Sequence, residues 1–351
     1  MRPHERIQQA CKETLLSLKP IRQVRFKPTK NTEADGTLTV QTNADTLEYF
    51  FIIKKTLNRT HLQHLLTQIQ STGDRPFLLM TDHLSPAMSA RLVQSGIQFV
   101  DATGNVFLDS PGGLYILVQG EKPSRPPDTT PERLFQASGL QVLFVLLVDP
   151  GSTHLNYREL AAKSGVSLGT VSIIMKELKK RGVLERVGPN AWSFLKKRKV
   201  VDQWVGGYGG RLRPKLLQNR YRAPRGDLER TLSGVKRALG TREPSWAVTG
   251  GFAADALTGH FRGEQLSLFA KDEVIDDLTR DLQWLPSREG DITVFRLFSP
   301  TVIMDRTAGV TMPVAHPLLV YAELVFQGGE RELEAAKILY QQELHEVFHA
   351  N

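Results

Sequence analysis

The densest group of side chains able to hold an anion lies between Lys176 and Arg225. Lys179, Lys180, Arg181, Arg186, Lys196, Lys197, Arg198, Lys199, Arg211, Arg213, Lys215, Arg220 and Arg222 fall there, against only Glu177, Glu185 and Asp202. Cations in such numbers displace condensed counterions from a chain of phosphates, so this run is expected to face phosphate groups. Just ahead of it, Ser167, Thr170, Ile173, Lys176 and Lys180 recur at helical spacing. Residues three and four apart share one helix face, and hydroxyl and ammonium groups placed there can meet base edges and phosphate oxygens together. Tyr157, Leu168, Gly169 and Ser172 complete the candidate contact set, which extends through Lys179, Lys180, Arg181 and Arg186 to Arg211 and Arg213. The chemistry these residue types support is binding. No catalytic residue, metal ligand or cofactor site is assigned.

Such a face needs a helix held firmly from behind. Residues 157–163 form a short helical pattern with apolar Leu160 and Ala161, ended by Ser164-Gly165. Gly165 suits a tight turn, since only glycine takes positive φ at little cost. Ser167 is a good N-cap for a second helix, in which Val171, Ile174, Met175 and Leu178 mark a buried stripe. Gly182 stops that helix; residues 183–187 read as a strand, Gly188-Pro189-Asn190 as a turn and residues 191–194 as the return strand. With a helix upstream at residues 131–148, the order resembles a winged helix-turn-helix, whose second helix enters the DNA major groove. Leu168 and Ile173 stand where many winged helices carry arginines for guanine. Direct readout is therefore expected from Ser167, Thr170 and Lys176, with apolar contact to thymine methyls and an A·T-leaning site.

A chain of 351 residues exceeds one ordinary core and predicts two or three domains. Its formal net charge of +8 favours an anionic partner. The single cysteine, Cys11, excludes an internal disulfide and fits a reducing compartment. No apolar leader follows the N-terminus, and the longest apolar run, residues 142–148, is too short to span a bilayer. A soluble cytoplasmic protein without a membrane partner is expected.

Residues 1–121 read as an α/β domain. A helix bearing Ile7, Ala10, Leu15 and Leu18 comes first. Strands follow at residues 36–40, 48–53, 76–80, 97–100, 105–108 and 113–118, with helices at 57–69 and 85–95. Asp35 and the strand ending Ile52-Ile53-Lys54 resemble the active-site arrangement of PD-(D/E)xK nucleases, which implies a restriction-endonuclease-like fold. That chemistry needs two carboxylates around a hard divalent cation, with the lysine near the attacking water. Ile52 stands where the second carboxylate belongs, so the domain is expected to be inactive. An ordinary hairpin with a solvated lysine gives the same pattern.

Residues 121–128 are proline-rich and polar and read as a linker. Thr130 and Pro131 then open the winged helix-turn-helix domain, residues 129–199. The remainder, residues 200–351, reads as a basic arm followed by a second α/β domain. The whole is expected to be an α+β multidomain protein. Gly206-Gly207-Tyr208-Gly209-Gly210 lacks the spacing of a nucleotide loop. Strand 245–249, Gly250-Gly251 and the helix at 252–257 resemble the start of a minimal nucleotidyltransferase domain. There an Asp-x-Asp on the next strand binds metals, but this chain has Gln265 and Ser267.

Several phrases resemble the AbiEi-type antitoxins of type IV toxin–antitoxin systems. They are Asp101-Ala102-Thr103-Gly104-Asn105, Tyr157-Arg158-Glu159-Leu160-Ala161 and Ser167-Leu168-Gly169-Thr170-Val171-Ser172. Arg211-Leu212-Arg213-Pro214-Lys215-Leu216, Thr249-Gly250-Gly251-Phe252-Ala253-Ala254 and Leu318-Leu319-Val320-Tyr321-Ala322-Glu323-Leu324 continue the series. The resemblance implies a transcriptional regulator that binds a double-stranded operator at its own promoter, acts against a separate nucleotidyltransferase toxin, and itself lacks catalysis. A homodimer is compatible with it. The competing readings are a metal-dependent nuclease, a nucleotidyltransferase, and a DNA-processing accessory protein of a mobile element.

Overall fold

The computed structural model describes residues 3–29, 34–43, 45–55, 57, 62, 65, 76–110, 114–120, 133–188, 191–195, 197–223, 227–240, 245–304 and 312–345. The expected linker at 121–128, the Thr130-Pro131 cap, most of the expected helix at 57–69, the wing tip Pro189-Asn190 and Lys196 lie outside them. The chain forms two compact units, Met1–Thr130 and Pro131–Asn351.

The first unit runs α1 (Pro3–Ser17), β1 (Ile21–Lys27), β2 (Gly36–Thr42), β3 (Thr46–Lys54), β4 (Phe77–Thr81), α2 (Pro86–Gln94), β5 (Gln98–Asp101), β6 (Val106–Asp109) and β7 (Tyr115–Val118). Its strands lie in chain order in one sheet, parallel across β3-β4-β5 and antiparallel on either side. Successive strand residues point to opposite faces. In β3, Tyr49, Phe51 and Ile53 therefore join Ile7, Cys11 and Leu15 of α1, while Ile52 joins Leu62, Leu65, Leu79 and Phe99 in a second core. A sheet covered on both faces reads as a continuous apolar run, and every residue of β4 is buried. Burial pushes the Cys11 thiol up to about 12, with the charge of Asp101 adding to it.

The Asp101-Ala102-Thr103-Gly104-Asn105 phrase is a carboxylate-centred turn. Asp101 is fully buried. It accepts from the amides of Leu84, Thr103 and Asn105, each at 2.9 Å, and from Thr103 Oγ1 and Asn105 Nδ2, both at 2.7 Å. A buried carboxylate survives only with such compensation, so this phrase is a structural joint between β5 and β6.

The second unit runs α3 (Ala137–Val148), α4 (Tyr157–Ser164), α5 (Leu168–Lys180), β8 (Leu184–Arg186), β9 (Trp192–Phe194), α6 (Lys197–Gly207), a π-type turn at Tyr208–Leu212, α7 (Arg213–Leu216) and β10 (Leu217–Arg222). Then come α8 (Leu228–Leu239), β11 (Trp246–Thr249), α9 (Gly250–Thr258), β12 (Leu266–Ala270), α10 (Asp272–Asp281), β13 (Leu285–Pro286), β14 (Ile292–Arg296), α11 (Pro317–Gln327) and α12 (Glu330–Leu339). Helix α3 is apolar nearly throughout because eight of its twelve residues are buried, with Ser138 and Gln141 on its half-buried side. The Phe144 ring meets Trp204 at 5.6 Å, Phe298 at 5.4 Å and His316 at 5.9 Å. The helix-turn-helix and the C-terminal sheet thus share one hydrophobic core.

That sheet has the order β11-β12-β14-β10-β13. Only β12 and β14 are parallel neighbours. The stretch expected as a basic arm is instead α6, the π-type turn, α7 and β10, with Arg220 and Arg222 in the sheet. Gly207 belongs to this core: a Cβ there would lie 3.2 Å from the Leu140 side chain.

Candidate nucleic-acid interface

The two helices that build the face are defined by their caps. Asn156 accepts from the amides of Arg158 and Glu159, and Glu159 reaches back to the Asn156 amide, a complete capping box for α4. Gly165 ends α4 at φ +66, and a Cβ there would lie 2.6 Å from the Phe298 carbonyl oxygen. Conformation and close approach both demand glycine at this corner. Ser167 caps α5, its Oγ accepting from the Thr170 amide at 3.3 Å and lying 2.8 Å from Thr170 Oγ1. Behind α5, Val171, Ile174, Met175 and Leu178 are buried, the stripe expected from the sequence.

The opposite side carries the expected contact set. Ser167, Leu168, Gly169, Ile173, Lys176 and Lys180 are exposed, with Thr170 and Ser172 half-exposed between them. Apolar Leu168 and Ile173 occupy the N-terminal half of this stripe and lysines the C-terminal half. Lys179 turns sideways: its Nζ lies 3.0 Å from Tyr157 Oη and 3.8 Å above the Trp192 ring. This cation–π contact joins α4, α5 and the return strand of the wing through one side chain. Trp192 is absent from the set read in the sequence, because a strand residue gives no sign of which lysine it will meet. Arg186 Nε donates to the Gly188 carbonyl at 3.0 Å and braces the hairpin turn, while Arg181 pairs with Glu177 one turn back.

Arg211 and Arg213 depart from the sequence reading. Arg211 Nη1 donates to the Phe135 carbonyl at 3.0 Å, tying the π-type turn to the segment before α3. Arg213 Nε donates to both carboxylate oxygens of fully buried Glu323, at 3.0 and 3.2 Å. Its guanidinium lies 4.2 Å from the Phe326 ring and 4.8 Å from Phe295. Tyr208 Oη donates to the same carboxylate, and burial, with the charge of Glu323, holds that phenol well above its ordinary range. An arginine so engaged belongs to the core. The sequence did contain the signal: Glu323 stands alone in the apolar run of α11, and a buried carboxylate must find a cation or several donors. Lys197 is also drawn inward, and burial lowers its pKa.

Asp35 and the Gly250-Gly251 pair, which carry the nuclease and nucleotidyltransferase resemblances, both make structural contacts. Asp35 Oδ2 accepts from the Ile53 amide at 2.8 Å, bracing β3, and Ile52 faces an apolar core. Gly250 takes φ +65, and a Cβ on Gly251 would lie 2.8 Å from the Arg262 carbonyl oxygen and from Gly263 Cα. The glycine pair thus serves the close passage of two backbones. Among the described residues, no three His, Cys, Asp or Glu side chains gather as metal ligands would. Among the same residues, no helix is long and apolar enough to cross a membrane.

A capped helix held by a buried stripe, with a hairpin at its flank, defines a winged helix-turn-helix. Residues 138–185 match the family model described as "Winged helix-turn-helix DNA-binding". Residues 193–345 match the one described as "Transcriptional regulator, AbiEi antitoxin, Type IV TA system". From residue 138 to residue 345 the chain is thus similar first to winged helix-turn-helix DNA-binding domains and then to transcriptional regulators of the AbiEi antitoxin type, the family its sequence phrases resemble. No curated protein and no solved structure matches the chain.

Proposed function

We propose that the chain binds a double-stranded operator upstream of its own gene and represses its transcription. Helix α5 lies in the major groove, where Ser167, Thr170 and Lys176 meet base edges, and Leu168 and Ile173 meet thymine methyls. Lys180 and the wing arginine Arg186 take phosphate oxygens beside the groove, fixing position without reading sequence. The observation that carries this reading is the α5 outer face, apolar and hydroxyl-bearing at one end and cationic at the other. The remaining role is that of an antitoxin directed at a nucleotidyltransferase-like toxin, with the second unit as the acting part and no catalysis by this chain. Paired half-sites, one helical turn apart, would follow from a homodimer. Footprinting on the gene's own upstream region tests the reading. A protected segment overlapping the promoter is expected, and protection no stronger than on unrelated duplex would refute it.

A further inference from the structure

Leu168 and Ile173 are 47% and 44% exposed, two large apolar side chains on the outer face of α5. Neither can donate or accept a hydrogen bond, so whatever they recognise must itself be apolar. The floor of the major groove offers such a group on a pyrimidine that carries a methyl at C5, as thymine does. Unmodified cytosine presents only a hydrogen there, and the purines present polar atoms.

The neighbouring polar groups leave the ring's identity open. Ser167 Oγ and Thr170 Oγ1 face each other at 2.8 Å, and either can be the donor. Each hydroxyl can therefore rotate to donate to thymine O4 or to accept from the cytosine 4-amino group. Glu177, the one carboxylate on α5, is paired with Arg181. The Ser167 and Thr170 hydroxyls therefore do not separate thymine from a methylated cytosine, and the donor-only ammonium of Lys176 sits on a stem long enough to bond a neighbouring base instead.

We infer that α5 reads C5-methyl groups themselves, so that 5-methylcytosine satisfies this face as thymine does and cytosine methylation strengthens binding. The inference rests on the proposed placement of α5 in the major groove. Burying one methyl changes affinity by roughly fourfold.

The test uses the full chain and the duplex it enriches from a random library. That duplex is resynthesised with deoxyuridine for thymidine at each position in turn. Wherever uracil weakens binding, the T·A pair is replaced by dC·dG and by 5-methyl-dC·dG. The expected result is a loss of about fourfold with uracil, with 5-methylcytosine binding about fourfold more tightly than cytosine. Leu168→Ala combined with Ile173→Ala should erase the thymine–uracil difference, whereas Lys176→Ala should weaken every duplex and leave it in place. Equal binding of thymidine and deoxyuridine duplexes at all positions, or of cytosine and 5-methylcytosine duplexes, would overturn this inference alone. Failure to bind any duplex would overturn the groove placement together with it.

Discussion

The two ends of the basic run make an instructive pair. From Lys176 to Arg186 the cations project from α5 and the wing or, at Lys179, Arg181 and Arg186, bind groups of the helix-turn-helix and the wing themselves. At Arg211 and Arg213 they turn inward, one to a backbone carbonyl and one to a carboxylate 110 residues away. Residue type is the same at both ends, yet one end is available to an anionic partner and the other holds the unit together. What separates them is the company of each charge. Lys176 and Lys180, on the outer side of a helix whose far side is buried, face solvent. An arginine leading into a strand between Phe295 and Phe326 meets a buried Glu323.

The comparison is broken most violently at Glu323. Glu323→Ala leaves Arg213 without its counter-charge, and breaking a buried pair costs about 3–5 kcal/mol. Urea denaturation should register that loss, while DNA affinity per folded molecule stays near wild type. A large loss of affinity with unchanged stability would place Arg213 at the DNA after all.

Next in size is the titration of His316, which N-caps α11 with Nδ1 accepting from the Leu318 amide at 3.1 Å. Burial, helped by the charge of Lys197, pushes its pKa down to about 4. The unfolded chain binds this proton near pH 6.5 and the folded chain does not, so the folded state is favoured above pH 6.5. That contribution, on the order of 3 kcal/mol, should fade as pH falls from 6.5 towards 4. Melting temperature against pH measures it, and His316→Gln should flatten the slope in that window.

Much of the outward end was legible in the sequence, and the inward end was not, for a physical reason. The α5 stripe, the Gly165 corner and the Ser167 cap are local facts, set by helical period and backbone conformation within a few residues. The parallel strands of the first unit were legible as apolar runs. Strand β1 was missed because its alternation breaks at a register shift between Ile21 and Gln23. Strand β10 was missed because Tyr221 is its only buried residue, which leaves Arg220 and Arg222 to look like an arm. Helix α10 shows only Ile275 and Leu278 to the core amid acidic residues. The pairing of Arg213 with Glu323 is a tertiary fact, hinted at only by a lone carboxylate in an apolar helix.

A smaller effect separates base contacts from phosphate contacts within the outward end. Thr170→Ala should lower preference for the operator over random duplex by about 1–3 kcal/mol and leave non-specific binding nearly intact. Competition binding with the two duplexes measures the difference. Equal losses on both would mean that α5 does not read bases. Smallest is Lys180→Ala, which should weaken all duplexes alike, reduce the salt slope by about one, and change stability by less than roughly 0.5 kcal/mol.

The central claim is that the outward cations of α5 and the wing meet DNA phosphates. The salt dependence of duplex affinity for the full chain tests it most directly. The account predicts a steep linear fall of log affinity with log salt, made shallower when Lys179, Lys180 and Arg181 are together changed to alanine. Affinity indifferent to salt between low and physiological ionic strength would contradict it.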